Sequence, residues 1–205
     1  MQLQKIHSPN FDTTWLDLLD QDPVHNITPD RPLERRIAPD RDIFMLTESD
    51  IPVAVLCVAY TAMLPDNIEE IISSTSPVQS LDDARYAIFY SVFKTNNQIE
   101  VSNPGAKIIR LASSWIHDNY PAVRNFVTMS PIPALSTEFT TAPTDFDQIR
   151  GYLENCKDPV ARFHTNNGAK VYRVIPNADT SPRRQEQSWG FMVNYDYTSE
   201  IIKPI

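Results

Sequence analysis

Two polar residues stand where a hydroxyl and an imidazole could act on a substrate. Ser130 ends the apolar run in FVTMSPIPALS, and Pro131 and Pro133 fix the backbone beyond it. His164 follows later in the chain, within RFHTNNGA. A hydroxyl held rigidly at the end of a strand can hydrogen-bond a substrate, and an imidazole can transfer a proton to it.

Each of these residues also has an interpretation without chemistry. A Ser-Pro pair favours a loop, and the Gly-x-Ser-x-Gly motif of a nucleophile elbow does not surround Ser130. A lone histidine such as His164 is usually a hydrogen-bonded structural group. Taken singly, the two residues favour a structural role, and the rest of the sequence has to decide.

The composition is that of an ordinary folded protein of one domain, with 205 residues, 41% hydrophobic and 21% charged. A net charge of −8 offers no general attraction for nucleic acid or acidic membranes, so neither is predicted as a partner. The two cysteines, Cys57 and Cys156, exclude a disulfide framework and a cysteine zinc site. Together with the absence of a secretory signal pattern or a membrane-length apolar run, they predict a cytoplasmic protein.

The chain divides at about residue 40. Residues 1–40, called the arm below, are polar and hold five prolines, which predicts an extended segment with one short helix at TTWLDLLD (13–20). Residues 41–205 form the predicted catalytic domain. It opens with two strands, at 42–48 and 53–61, joined as a hairpin through Ser49, Asp50 and Pro52.

The middle of the chain has the order strand, helix, strand. RYAIFYSVF (85–93) has the β-branched and aromatic residues of a central strand. Apolar residues at helical spacing follow Pro104, with Asn103 as the N-cap, and NFVTM (125–129) is the next strand. This order predicts parallel neighbours in a mixed sheet flanked by helices, which is an α/β fold.

Three further elements are predicted around and after this unit. DNIEEIISS (66–74) has helical spacing, TDFDQIRGYLENC (144–156) predicts a helix capped by Thr144, and GFMVNYDY (190–197) predicts a strand.

Several separate motifs, taken in order, resemble the malonyl-CoA decarboxylase family. The resemblance runs from about Asp40 to Tyr197 and implies a GNAT-like fold, similar to that of the GNAT acetyltransferases. The motifs are DRDIFMLTESDIPVAVLCVAYT, FYSVF, FVTMSPIPAL, RFHTNNGA and NADTSPRRQEQSWGFMVNYDY.

The resemblance implies a catalytic pair. The serine of the family's Ser-Pro-x-Pro corresponds to Ser130, and the histidine of its His-x-x-Asn-Gly-Ala corresponds to His164. A malonyl thioester would lose CO₂ to give an enolate and then acetyl-CoA, with His164 delivering the proton and Ser130 hydrogen-bonding the carboxylate or the enolate. Asn194 and Tyr195 are weaker candidates for the same pocket. No metal or organic cofactor is expected, because the thioester takes up the electrons itself.

Coenzyme A, as part of the substrate, is expected at the start of the helix in VSNPGAKIIR, where N–H groups and the helix dipole can receive its pyrophosphate. Pro104 departs from the family's usual pattern and removes one donor. Lys107, Arg110, Arg183 and Arg184 are either basic groups for the phosphates or solvated surface charges. The predicted CoA contacts are Ser102, Asn103, Gly105, Ala106, Lys107 and Arg110.

The resemblance leaves the assembly and the activity open. Family members carry a helical domain before the catalytic domain, which contributes to oligomers, whereas this chain has only the arm, so a standalone catalytic domain is expected. Either malonyl-CoA or a malonyl carrier protein would present the acyl group. The alternatives are a GNAT-type acyltransferase, which needs an open acceptor channel, and an acyl-CoA-binding module without turnover.

Overall fold

A computed structural model describes residues 1–6, 13–95 and 99–201 of the chain. It has helices packed on both faces of one mixed sheet. The strands are β1 (Gln2–Ile6), β2 (Arg41–Glu48), β3 (Ile51–Thr61), β4 (Tyr86–Lys94), β5 (Asn125–Thr128), β6 (Ser130–Pro131), β7 (Lys170–Ile175) and β8 (Met192–Asp196). The helices are α1 (Thr13–Asp20), α2 (Leu33–Arg36), α3 (Glu69–Ile72), α4 (Pro104–Asn119), α5 (Leu135–Glu138), α6 (Phe146–Glu154), α7 (Pro159–Asn166), α8 (Pro182–Ser188) and α9 (Thr198–Ile201).

The strand order is β1-β2-β3-β4-β5-β8-β6, and β7 also pairs with β8. The predicted hairpin of β2 and β3 is confirmed as an antiparallel pair. Ser49 and Asp50 both have positive φ, which is the backbone twist that a tight hairpin turn requires. Pro52, predicted in the connection, lies inside β3 instead, so the turn is shorter than expected.

The predicted strand–helix–strand unit is confirmed. β4 and β5 are parallel, in register from Tyr86 opposite Asn125 to Phe89 opposite Thr128, and α4 connects them. Beyond that last pair the two segments separate: β4 continues along β3 to Lys94, whereas β6 stays paired with β8. A cleft therefore opens at the carboxyl ends of the two parallel strands, where α/β sheets commonly bind ligands.

The arm is more structured than predicted. Helix α1 is confirmed, but β1 also adds an edge strand that is antiparallel to β2, and α2 follows later in the arm. Leu19 and Arg36 are both 1% exposed. The arm packs against the sheet because its apolar residues cover a second hydrophobic cluster on the face opposite α4, and residues 7–12 of the arm lie outside the described ranges.

Two smaller predictions need correction. The N-cap of α6 is Asp145 rather than Thr144, and its carboxylate accepts the N–H of Asp147 at 2.9 Å. In DNIEEIISS only Glu69–Ile72 is helical. Across the described ranges, no helix combines the length and the apolar character needed to cross a membrane.

Candidate active site

Ser130 lies where the chain leaves the parallel part of the sheet. Ser130 pairs with Val193 of β8, and the residue is buried, with 5% of its surface exposed. The hydroxyl donates a hydrogen bond to Oγ1 of Thr128 at 2.8 Å. Pro131 follows on the short strand β6, where a missing N–H is tolerated.

His164 comes from α7, a helix that the sequence did not predict. Asp158 caps this helix, accepting N–H bonds from Val160 at 2.8 Å and Ala161 at 3.2 Å. The other oxygen of Asp158 accepts the N–H of Ala134, at 2.9 Å, from the segment that follows Ser130. One carboxylate thus fixes the helix of His164 relative to the loop of the serine.

The structure brings Ser130 and His164 together. Oγ of Ser130 lies 3.1 Å from Nε2 of His164, and the hydroxyl of Tyr197 lies 2.8 Å from Nδ1. The Ser130 hydroxyl gives its one hydrogen to Thr128, so it accepts from Nε2–H, and Nδ1 accepts from Tyr197. A hydrogen-bonded chain therefore runs from Tyr197 through His164 and Ser130 to Thr128.

Burial keeps this chain electrically neutral. His164 is 3% exposed, and loss of solvation lowers its pKa to about 3. Burial also raises the pKa of the Tyr197 hydroxyl above its usual value. The ring of His164 stacks on Tyr195 with a centroid distance of 4.6 Å, which holds the imidazole in one orientation.

The pair faces a cleft of about 380 Å³, within the size range of small-molecule sites. Its walls come from the diverging strands, from the first residues of α4 and from α7, and they are largely apolar. A residue of the arm, Val24, also lines the cleft. The lining includes Phe89, Tyr90, Met129, Pro104, Gly105 and Phe163.

Asn194 and Tyr195 do not line the cleft, contrary to their predicted contact with substrate. Both are fully buried. The Asn194 amide donates to the carbonyl of Thr128 at 2.6 Å and accepts from Arg173 at 3.1 Å, so its hydrogen-bonding groups are already engaged. The N–H of Tyr195 donates to Oγ1 of Thr128 at 3.0 Å. Their contacts are with the residues behind the pair.

The predicted CoA contacts divide into two groups. Asn103 and Gly105 line the cleft at the start of α4. A Cβ on Gly105 would lie 3.0 Å from the Phe163 ring, so glycine allows this helix to approach α7 closely. The residues outside the cleft lining are Ser102, Ala106, Lys107 and Arg110.

Arg183 and Arg184 bind the arm instead of lining the cleft. Arg184 is 3% exposed and donates to the carbonyl of Val24 at 3.1 Å. Arg183 donates to the carbonyl of Pro23 at 2.9 Å. The alternative of free surface charges is also wrong for Arg184, because it is buried.

Sequence reasoning missed Thr128 and Tyr197. Both could have been found from strand alternation, since side chains two residues apart share a face of a strand. Thr128 stands two residues before Ser130, and Tyr197 stands two residues after Tyr195. The missing information was that His164 lies against that face.

Comparison with known proteins identifies the family. The sequence model of the malonyl-CoA decarboxylase C-terminal domain matches residues 2–145 and 140–204, almost the whole chain. The chain belongs to the malonyl-CoA decarboxylase family. Mitochondrial malonyl-CoA decarboxylase of the goose Anser anser anser is 24% identical over 249 residues, covering 88% of this chain and 49% of that protein. The chain thus spans about half the length of the curated relatives it matches.

Solved structures agree on the fold of this family member. Malonyl-CoA decarboxylase from Agrobacterium vitis superposes with a TM-score of 0.78 at 25% identity, covering 96% of this chain and 60% of that one. The GNAT-like decarboxylase GphF, solved in complex with isobutyryl-CoA, has a TM-score of 0.67 at 12% identity, covering 96% of this chain and 98% of GphF. The predicted GNAT-like α/β fold is confirmed.

Proposed function

We propose that this protein decarboxylates malonyl-CoA, or a related malonyl thioester, to acetyl-CoA and CO₂. The observation that carries the proposal is the contact of Ser130 Oγ with His164 Nε2, at 3.1 Å, in a cleft of a size suited to an acyl thioester. Membership of the malonyl-CoA decarboxylase family supports it.

The reaction breaks one carbon–carbon bond and adds one proton. The electron pair of the broken bond moves to the α-carbon and onto the thioester oxygen as CO₂ leaves, and a proton then joins the α-carbon. The hydroxyl of Ser130 can turn from Thr128 to hydrogen-bond the carboxylate or the enolate oxygen. The thioester accepts the electrons, so the reaction needs no metal or organic cofactor.

His164 is the proposed proton donor. Its ring is neutral in the free protein, because burial lowers its pKa to about 3. A malonyl carboxylate or enolate beside Nε2 adds negative charge, which raises the pKa of the imidazole and favours its protonated form. Binding of the anionic substrate would therefore favour protonation of His164, and this proton would then be transferred to the α-carbon of the enolate. Tyr197, bonded to Nδ1 at 2.8 Å, would keep the ring aimed at the α-carbon.

The surroundings of the pair favour loss of charge from the substrate. Among the described residues that line the cleft, Lys94 is the one cationic side chain, and it is exposed at the end of β4. Apart from the imidazole of His164, a carboxylate next to Ser130 would lie among apolar side chains without a buried cation to stabilise it. In such surroundings a carboxylate loses more solvation free energy than the neutral product CO₂ does. The environment therefore favours decarboxylation.

The nucleotide end of CoA is proposed to bind at the start of α4. Asn103 and Gly105 line the cleft there, and the positive end of the helix dipole suits the pyrophosphate. Lys107 and Arg110 follow in the first two turns of the same helix and would add positive charge. Ser102 and Ala106 complete the proposed contacts.

Decarboxylation is favoured over acyl transfer by membership of the malonyl-CoA decarboxylase family, and the arm occupies part of the cleft wall. An acyltransferase needs a second opening for its acceptor, but residues 22–25 of the arm lie beside β4 and contribute Val24 to the cleft wall. A malonyl carrier protein as acyl donor, an oligomeric assembly and a cytoplasmic location stay predictions. The goose relative is a mitochondrial protein.

The test is incubation with malonyl-CoA, followed by mass spectrometry of both CO₂ and acetyl-CoA. We expect the two products in equal amounts, and no acetyl-CoA from a folded Ser130→Ala/His164→Ala double variant above the solvent rate. Binding of acetyl-CoA without any release of CO₂ from malonyl-CoA would overturn the proposal in favour of a binding module. Transfer of the acyl group to an added amine would support the acyltransferase.

A further inference from the structure

The arm contains a turn, residues 22–25, that is anchored around one buried carboxylate. Asp22 is 2% exposed. Its Oδ1 accepts the N–H groups of Val24 at 2.8 Å and His25 at 3.3 Å, together with the Ser91 hydroxyl at 2.8 Å. Its Oδ2 accepts from the Arg36 guanidinium at 2.9 Å. The carboxylate thereby joins the turn to strand β4.

Arginine side chains hold the backbone carbonyl groups of the same turn. Three successive carbonyl oxygens each accept a guanidinium hydrogen bond: Pro23 from Arg183 at 2.9 Å, Val24 from Arg184 at 3.1 Å, and His25 from Arg36. Charged donors make stronger hydrogen bonds than neutral ones, so these contacts hold the backbone of the turn firmly. Val24, between these anchored groups, is one of the residues that line the cleft.

The turn lies on the face of the sheet opposite His164. Ser91 pairs across the sheet with Cys57, which belongs to the second hydrophobic cluster, whereas the tyrosines around His164 belong to the first. Residues paired in this way share a face of the sheet. Val24, bonded through Asp22 to Ser91, therefore approaches the cleft from the side away from His164.

The turn is also bonded to a part of β4 that, like Ser130, lies beyond the last parallel pair of strands. The parallel strands last pair at Phe89 and Thr128, and Ser91 and Ser130 both follow that point, Ser91 after a bulge at Tyr90. Both serines line the cleft. The wall that includes Val24 is thus at the acyl end, while the start of α4 forms part of another wall.

We propose that Val24 is a specificity-determining residue, which limits the size of the substituent that the α-carbon of the malonyl group can bear. The inference rests on the proposed function. When one side of the α-carbon faces Ser130 and His164, an alkyl substituent on that carbon must extend toward the opposite wall, and Val24 stands on that wall. A rigidly held turn cannot move aside to admit a larger group. The substrate class is malonyl thioesters with an unsubstituted or small α-carbon.

Two variants of Val24 test the proposal in opposite directions. The values of kcat/KM are measured for malonyl-CoA, methylmalonyl-CoA and ethylmalonyl-CoA with the wild type, Val24→Ala and Val24→Phe. We expect Val24→Ala to shift the ethylmalonyl to malonyl ratio of kcat/KM upward by about tenfold, and Val24→Phe to shift it downward, on the scale of one or two methylene groups in a pocket. Val78→Ala, at a position that is 58% exposed, is the matched control and should leave the ratio unchanged.

A binding measurement separates this inference from the proposed function. The affinities of the unreactive thioesters acetyl-CoA and isobutyryl-CoA are measured by calorimetry for the same proteins. If the wild type releases no CO₂ but the affinity ratio differs between the wild type and the Val24 variants, the proposed function fails. The assignment of Val24 as the residue that limits acyl size then stands. If the wild type is active and neither ratio changes in either folded variant, Val24 does not determine acyl size and the inference is overturned.

Discussion

Two buried histidines, His164 and His25, lie on opposite faces of the sheet and show how different the two sides of this protein are. Their exposures are 3% and 1%, and burial lowers their pKa values to about 3 and about 4. Both nitrogens of His164 have hydrogen-bond partners. Within the described part of the chain, neither nitrogen of His25 has one.

The surroundings of the two rings explain the difference. His164 belongs to a neutral chain of hydroxyl groups that opens onto a cleft. His25 lies among buried ions, where Arg36 pairs with Asp22 at 2.9 Å and Arg184 lies 3.9 Å from Asp179. A strongly shifted pKa is therefore a poor guide to catalysis by itself. Access to a cleft and an oriented neighbour distinguish the candidate catalytic histidine from the structural one.

The largest expected effect is on stability, in the region of buried ions. Asp22→Ala removes the partner of Arg36 and the acceptor of three further hydrogen bonds, so we expect a loss of about 3–5 kcal/mol of unfolding free energy in urea titration. Asp20→Ala, which changes an exposed carboxylate on α1, is the control and should change stability by less than about 0.5 kcal/mol. Equal stability of the two variants would mean that the ion pairs around His25 do not support the fold.

The next effect is on turnover, in the region of the cleft. His164→Ala should lower kcat for malonyl-CoA by about a hundredfold or more, the scale of general acid catalysis, with little change in CoA affinity. His117→Ala, at an exposed position of α4, should keep wild-type kcat. Ser130→Ala should also slow the reaction, and the double variant should lose less than the product of the single effects. Full activity of a folded His164→Ala protein would contradict the proposed mechanism.

The pH dependence of stability should report both histidines. Their pKa values are depressed in the folded state, so their contribution is fully present above the unfolded pKa of about 6.5 and is lost as the pH falls toward about 4 for His25 and about 3 for His164. Between pH 6 and 4.5, His25→Gln and His164→Gln should each reduce the slope of unfolding free energy against pH by about 1 kcal/mol per unit. If both variants keep the wild-type slope of unfolding free energy against pH, the two imidazole rings are not held neutral in the folded protein.

The smallest expected effect concerns the residue behind the imidazole. Tyr197→Phe removes the hydroxyl that contacts Nδ1 of His164 but keeps the aromatic packing. We expect kcat to fall by about tenfold or less, on the scale of one hydrogen bond of roughly 0.5–1.5 kcal/mol, with KM nearly unchanged. Steady-state kinetics decide this, and a fall as large as that of His164→Ala would mean that Tyr197 itself transfers the proton.

Sequence patterns were sufficient where the information is local. Alternation and turn residues predicted the hairpin of β2 and β3, and helical spacing after Asn103 predicted α4 with its cap. The strand–helix–strand order predicted the parallel pair of β4 and β5. Each of these depends on residues close together in the chain, whose backbone preferences act before any distant contact forms.

The residues that surround the candidate catalytic pair were harder to assign. The motifs pointed to Ser130 and His164, but Tyr197 and Thr128 were missed. Asn194 and Tyr195 were expected to touch substrate, and they support the pair from behind. Adjacent residues on one strand have different roles, because different elements pack against the two faces of the sheet. The sequence of the strand does not show which elements these are.

By itself, the sequence determined the fold class, the family and the two residues to test, because the spacing of apolar residues and the short motifs can be recognised from residues close together in the chain. Only the tertiary structure decided that Arg183 and Arg184 donate hydrogen bonds to carbonyl groups of the arm, and that Val24 lines the cleft. The reason is physical. An arginine binds whichever carbonyl or phosphate the packed chain brings within hydrogen-bond reach, and contacts across some 160 positions arise from packing of the whole domain rather than from local backbone preference.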